Sequence, residues 1–293
     1  MKKVLNNFIK IFSALFLCIA LAISFAACGG KDDGKIDTPK EPLRPVMERE
    51  GYEQEWGNVK GTVRRIENSK GLSIYGRVFA PLDYEFDEKM PILIMSHGNN
   101  AVGADGTNSV VKNAVENGMI VYSFDFCAAT KTGKSDGEPG TATTEDEAED
   151  LKCVIEYFKA KDYVDTSKIA LWGHSRGGAV TALTIGEYYD QIAAVVLEAP
   201  AIGLSDNPLI PSETASDMNK FEKQFCVFWG DNDEQISVET VDELKEYFGD
   251  KMLATIVPGA QHSFQPKDYQ ITLPIMNEYL RSMGVMPAAT ETE

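Results

Sequence analysis

Residues 171–178 read Leu-Trp-Gly-His-Ser-Arg-Gly-Gly, and this stretch constrains the chain more than any other. A short apolar run, Lys168 to Trp172, leads into it, and a helix-compatible run, Ala179 to Gly186, leads out. A strand that turns at once into a helix forces the residue at its apex into a strained backbone conformation. The flanking positions must be small so that strand and helix do not collide, and Gly173 and Gly177 meet that need. The apex side chain then stands clear of the sheet at a helix N-terminus, where peptide dipoles favour developing negative charge. The apex residue is Ser175. A G-x-S-x-G string alone also fits an ordinary tight turn. The strand before it, the helix after it and a second glycine at 178 favour a reactive serine.

Around this turn the pattern alternates. Val59–Ile66 and Leu72–Ala80 read as two strands joined by a hairpin-type connection at residues 68–71. Apolar strands follow at Pro91–Ser96, Met119–Phe126, Lys168–Gly173, Ile192–Glu198, Phe225–Trp229 and Leu253–Val257. Helices are expected at Asn108–Asn117, Thr144–Ala160, Ala179–Tyr189, Val238–Phe248 and Tyr269–Met283. Strands that are apolar from end to end, alternating with helices, imply a mostly parallel sheet of about eight strands covered on both faces. Active-site residues gather at the carboxyl ends of strands in such α/β sheets.

The amino-terminal segment reads as an export signal rather than as fold. Lys2, Lys3 and Lys10 precede a 15-residue apolar run, Ile11 to Phe25, which ends in Ala26-Ala27-Cys28. Small residues before a cysteine resemble a bacterial lipobox, with Phe25 where leucine is usual. That resemblance implies a signal peptide at residues 1–27, lipidation of Cys28 and anchoring of an exported protein to the membrane. The alternative is an uncleaved membrane helix, for which the run is short. Residues 28–50 lack the composition for a core and read as a tether, leaving a domain at residues 51–285 and a disordered tail at 286–293.

The net charge of −17 becomes −20 without the three signal-peptide lysines, and it disfavours nucleic acid and anionic lipid as partners. Cys127, Cys153 and Cys226 show no C-x-x-C spacing, which predicts free thiols and neither a zinc site nor a disulfide framework.

The chain has three histidines. His97 follows a strand, and His174 lies inside the turn, where its side chain is expected to point away from the reactive side of Ser175. His262, in Gly-Ala-Gln-His-Ser-Phe just after the last strand, is the candidate base. A carboxylate partner is sought between them, and the loop Gly230 to Ile236 offers Asp231, Asp233 and Glu234.

Together these motifs resemble the α/β-hydrolase family, in its serine esterase-like branch, across nearly all of residues 55–283. Nucleophile, acid and base occur in the family's order as Ser175, Asp233 and His262. The spacing Gly230-x-x-Asp233-x-x-Ile236 matches the family's acid loop and selects Asp233 over Asp231. His97-Gly98 resembles the family's oxyanion loop, which implies that the backbone N–H groups of Asn99 and Arg176 face the substrate oxyanion. Asp125 with Gly133 to Gly137 resembles a D-x-x-G-x-G-x-S-x-G region, except that Cys127 to Lys131 stands where an Arg-Gly-x-Gly run is common. That segment reads either as pocket lining or as support for the rim, and Asp125 is not placed in the catalytic set. Residues 200–224 are too few for a cap domain, so a short lid over an open site is expected.

The resemblance implies a carboxylic ester hydrolase acting on a small-molecule or oligomeric ester through an acyl-enzyme, with no metal or cofactor. A serine peptidase, a dienelactone-hydrolase-like acyl hydrolase and a silent lipid-anchored binding protein are the competing readings.

Overall fold

The computed structural model describes residues 44–104, 108–204 and 213–289. Its strands are β1 (Glu53–Trp56), β2 (Val59–Glu67), β3 (Ser73–Pro81), β4 (Met90–Ser96), β5 (Ile120–Asp125), β6 (Val164–His174), β7 (Ala194–Glu198), β8 (Phe225–Gly230) and β9 (Met252–Val257). Its α-helices are α1 (Ser109–Glu116), α2 (Thr144–Lys159), α3 (Arg176–Tyr188), α4 (Glu213–Met218), α5 (Glu239–Phe248) and α6 (Tyr269–Ser282). The strands form one sheet in the order β1-β2-β3-β5-β4-β6-β7-β8-β9. The first three strands, and the β3–β5 pairing, are antiparallel; every pairing from β5 to β9 is parallel.

The two faces follow from alternation along the strands. Ile92, Ile94, Leu171 and Val195 point to a layer made by α2, α3, α4 and α5. Leu93, Met95, Trp172 and Val196 point to a layer made by α1 and α6. Both faces are apolar, so the central strands read as continuous hydrophobic runs. The helix starts are written locally. Asn108 Oδ1 accepts from the Val111 N–H at the start of α1, and Thr143 with Asp146 forms a capping box on α2.

Four details depart from the sequence reading. The sheet has a ninth strand, β1, whose residues are exposed or half-buried and so carry no apolar run. The 200–224 stretch, where a short lid is expected, contributes α4, which buries Ala215 and Met218, while its residues 205–212 lie outside the described residues. The expected tether ends earlier than residue 50. Arg44 pairs with Asp136, and the carbonyls of Met47 and Glu48 accept from the buried Arg77 and the half-buried Arg65. The expected tail begins later than residue 286, because Met286 is buried in the α1/α6 layer and Arg281 Nε donates to the Pro287 carbonyl. The expected signal peptide and Cys28 lie outside the described residues.

Candidate active site

Strand β6 runs into α3 through Ser175, whose backbone sits at φ 52°, ψ −120°. A non-glycine residue held there costs on the order of 1–3 kcal/mol and persists only where its surroundings impose it. Those surroundings are specific. The Ser175 N–H donates to the Glu198 carbonyl at 3.0 Å, and its own carbonyl accepts from Gly178 and Ala201, each at 2.9 Å. The glycines are needed for space. A Cβ on Gly173 would meet the Gly177 carbonyl oxygen at 2.5 Å, and one on Gly177 would meet the Ser96 carbonyl oxygen at 2.2 Å. Ser175 makes no capping bond to its own helix, so its hydroxyl is free for another partner.

That partner is His262. Ser175 Oγ lies 2.8 Å from His262 Nε2, and His262 Nδ1 lies 2.8 Å from Asp233 Oδ2. With an ionised Asp233, Nδ1–H donates to the carboxylate and Nε2 is left to accept from the serine. Asp233 Oδ1 accepts two further bonds, from the Gln235 and Ile236 N–H groups at 2.9 Å. Burial alone would raise the Asp233 pKa, but the bonds from His262 and from these amides outweigh it and hold the carboxyl below its ordinary value. Asp231 points elsewhere, accepting from the Gly259 N–H at 2.6 Å.

The loop after β4 is pinned beside the serine. His97 Nε2 accepts from the Phe126 N–H at 3.2 Å while Nδ1–H donates to the Gly98 carbonyl at 2.8 Å, which makes His97 neutral; its burial likewise lowers its pKa. Asp125, fully buried, accepts from the N–H groups of Gly103, Ala104 and Lys134, so it ties this loop to the next one and is a support of the rim. Asn99, next to Gly98, is exposed, and Arg176 is the first residue of α3, whose N–H has no intrahelical acceptor. The Arg176 side chain turns away to Glu147 Oε2 at 2.6 Å. Burial pushes the Glu147 carboxyl up to about 7 against the pull of Arg176.

Two features of the site are not apparent in the sequence. The His174 ring does leave the serine, as its place in the turn predicts. It passes to the α1/α6 face, where Nε2–H donates to the His262 carbonyl at 3.0 Å and the two rings lie 5.1 Å apart. Next to it in sheet register is Glu198, the last residue of β7, which is 3% exposed. Glu198 lines a cavity of about 190 Å³ together with Gly98, Trp172, His174, Phe264 and Tyr269. No group of three or more potential metal ligands occurs among the described residues, and no described helix is long and apolar enough to cross a membrane.

Residues 87–255 match the sequence pattern of the family described as serine aminopeptidase, S33. Over 139 residues the chain is 32% identical to the polyketide transferase grgF of Penicillium sp, covering 47% of this chain and 44% of that protein. Over 147 residues it is 25% identical to the quorum-quenching protein AidA of Acinetobacter baumannii, covering 44% and 47%. The matched stretches thus span less than half the length of these curated relatives. The solved structure of Est1E from Butyrivibrio proteoclasticus with ferulic acid bound has a TM-score of 0.63 at 18% identity, covering 75% of this chain and 98% of that one. At that identity the likeness speaks for the fold.

Proposed function

The chain belongs to the serine aminopeptidase, S33, family of α/β hydrolases, and we propose that within it the protein is a carboxylic ester hydrolase using Ser175, His262 and Asp233. The observation that carries this reading is the continuous hydrogen-bonded line from Ser175 Oγ through the His262 ring to Asp233. A serine hydroxyl is a weak nucleophile at neutral pH and needs such a base. In the proposed reaction Ser175 Oγ attacks the ester carbonyl and passes its proton to His262 Nε2. Asp233 holds the imidazole orientation and stabilises the imidazolium. The N–H groups of Asn99 and Arg176 take the oxyanion, each donor contributing roughly 3–4 kcal/mol to the transition state. His262 then protonates the leaving alcohol; a water deprotonated by His262 attacks the acyl-enzyme, and the bond from the acyl carbon to Ser175 Oγ breaks as His262 returns that proton to Oγ and the acid leaves.

The test is hydrolysis of para-nitrophenyl acetate, butyrate and octanoate by protein starting after Cys28. Wild type should turn over at least one ester, and Ser175→Ala should lose that activity along with labelling by a fluorophosphonate probe. Labelling without hydrolysis of any of the three would point to the peptidase reading, which the family description favours. Absence of both would leave a silent binding protein. Export and anchoring through Cys28 belong to the same proposal. Metabolic labelling with palmitate should mark the wild type and not Cys28→Ala; equal labelling of the two would sink it.

A further inference from the structure

Glu198 is a carboxyl enclosed among aromatic rings, and the hydrolytic steps above make no use of it. Its hydrogen bond among the described residues, from Tyr269 Oη, is long at 3.4 Å. Burying a carboxyl with so little compensation is costly, and it is tolerated where the group keeps its proton or meets a positive partner. The cavity it lines also exposes Trp172, Phe264 and Tyr269. Ring faces attract organic cations, most strongly where water is excluded. One carboxylate is too few oxygens for a calcium cage, which takes six to eight, whereas an ammonium group needs only a counter-charge and a shaped apolar wall. The chain as a whole, at −17, draws cations toward its clefts.

The cavity borders the reactive serine. Gly98 is the shared wall: a Cβ there would lie 2.8 Å from His174 Nδ1 and 3.2 Å from Ser175 Cβ. Ser263, the neighbour of His262, forms another part of the lining. We infer that this cavity is a subsite for a small organic ammonium group, so that the preferred substrates carry such a group close to the scissile carbonyl. The substrate half of this inference rests on the hydrolase reading, while the binding half stands without it.

Binding is coupled to a proton. Burial pushes the empty Glu198 carboxyl up to about 8. The groups facing it are Tyr269 and Asp268 at the start of α6, His174 on β6, and apolar Phe228 on β8. Burial lowers the His174 pKa, so that ring is neutral at neutral pH and does not compete as the cation. An arriving ammonium therefore ionises Glu198 and displaces its proton.

The direct test is calorimetric titration of tetramethylammonium into the Ser175→Ala protein, in buffers of different ionisation enthalpy. Binding with release of a proton below pH about 8, weakened about tenfold or more in a Ser175→Ala, Glu198→Gln double variant, is the expected result. Glutamine keeps the shape of the protonated acid, and an unchanged melting temperature near pH 5 verifies that the variant folds. No binding by the Glu198 protein, or equal binding by both, overturns the subsite. The kinetic arm compares para-nitrophenyl esters of a trimethylammonium acid and of its neutral tert-butyl isostere. Wild type should prefer the cationic ester about tenfold in kcat/KM, and Glu198→Gln should lose that preference. Binding without turnover of either ester sinks the hydrolase reading alone; turnover of both esters at equal rates, without binding, sinks the subsite alone.

Discussion

His174 and Asp233 both act on His262, one from its backbone and one from its ring. The bond from His174 Nε2–H to the His262 carbonyl fixes the loop that carries the base, and the contact between the two rings limits its tilt. One intramolecular hydrogen bond contributes about 0.5–1.5 kcal/mol. His174→Phe is accordingly expected to lower kcat by roughly 3–10-fold while leaving KM nearly unchanged. His174→Gln, which can still donate, should recover part of the loss; equal losses in both variants would reduce the residue to packing. Asp233→Asn should be far more damaging, on the order of 10⁴-fold in kcat, because an amide in that place favours the wrong imidazole tautomer. Steady-state kinetics with any ester turned over by the wild type reads both. At this scale the sequence is informative where a residue type is scarce: three histidines leave few candidates for the base. Glu198 is hidden for the opposite reason. It ends an apolar run as any strand-capping residue does, and the hydroxyl that touches it belongs to Tyr269, 71 residues away.

Among the elements, the β6–α3 turn and the loop after β4 form one unit, because Gly177 packs directly on the backbone of Ser96 and His97. Gly177→Ala would place a methyl 2.2 Å from the Ser96 carbonyl oxygen and 2.7 Å from that of His97. Backbone cannot yield as a flexible side chain does, so the loop bearing Gly98 and Asn99 must move away from the serine. Overpacking of this kind costs about 1–3 kcal/mol, and the displaced amide should lower kcat as well. Thermal melts and kinetics on one preparation check the pair of effects; a stable variant with unchanged kcat would separate turn from loop. The same unit explains what was legible. Strands β4, β5, β7 and β8, and β6 from Ile169 to Gly173, are buried on both faces and announce themselves as apolar runs, and the glycines mark the turn. Strand β1 has no buried residue, and α4 is six residues long, too short to show a 3.6-residue period.

For the whole molecule, acidity and burial combine into a pH dependence of stability. Glu198 and Glu147 titrate at ordinary values near 4.5 when the chain is unfolded, and burial raises them to about 8 and about 7 in the fold. Between those limits the folded state binds more protons than the unfolded one, so stability is full below about pH 4.5 and is lost as pH rises through 7 to 8. Asp233 runs the other way. Its folded value is depressed, so its contribution is present above the ordinary aspartate value and lost as the pH falls through the folded one. Self-repulsion within a chain of net charge −17 adds to the loss on the alkaline side. The melting temperature should therefore peak in mild acid and decline toward pH 8. Glu198→Gln cannot ionise, so its decline should be shallower, with the variant matching wild type near pH 5 and exceeding it near pH 8. Melts of both proteins across pH 5 to 9 in constant ionic strength decide it. Parallel curves would mean that Glu198 is already ionised in the folded protein, because only a carboxyl that keeps its proton against water can give the variant the flatter slope.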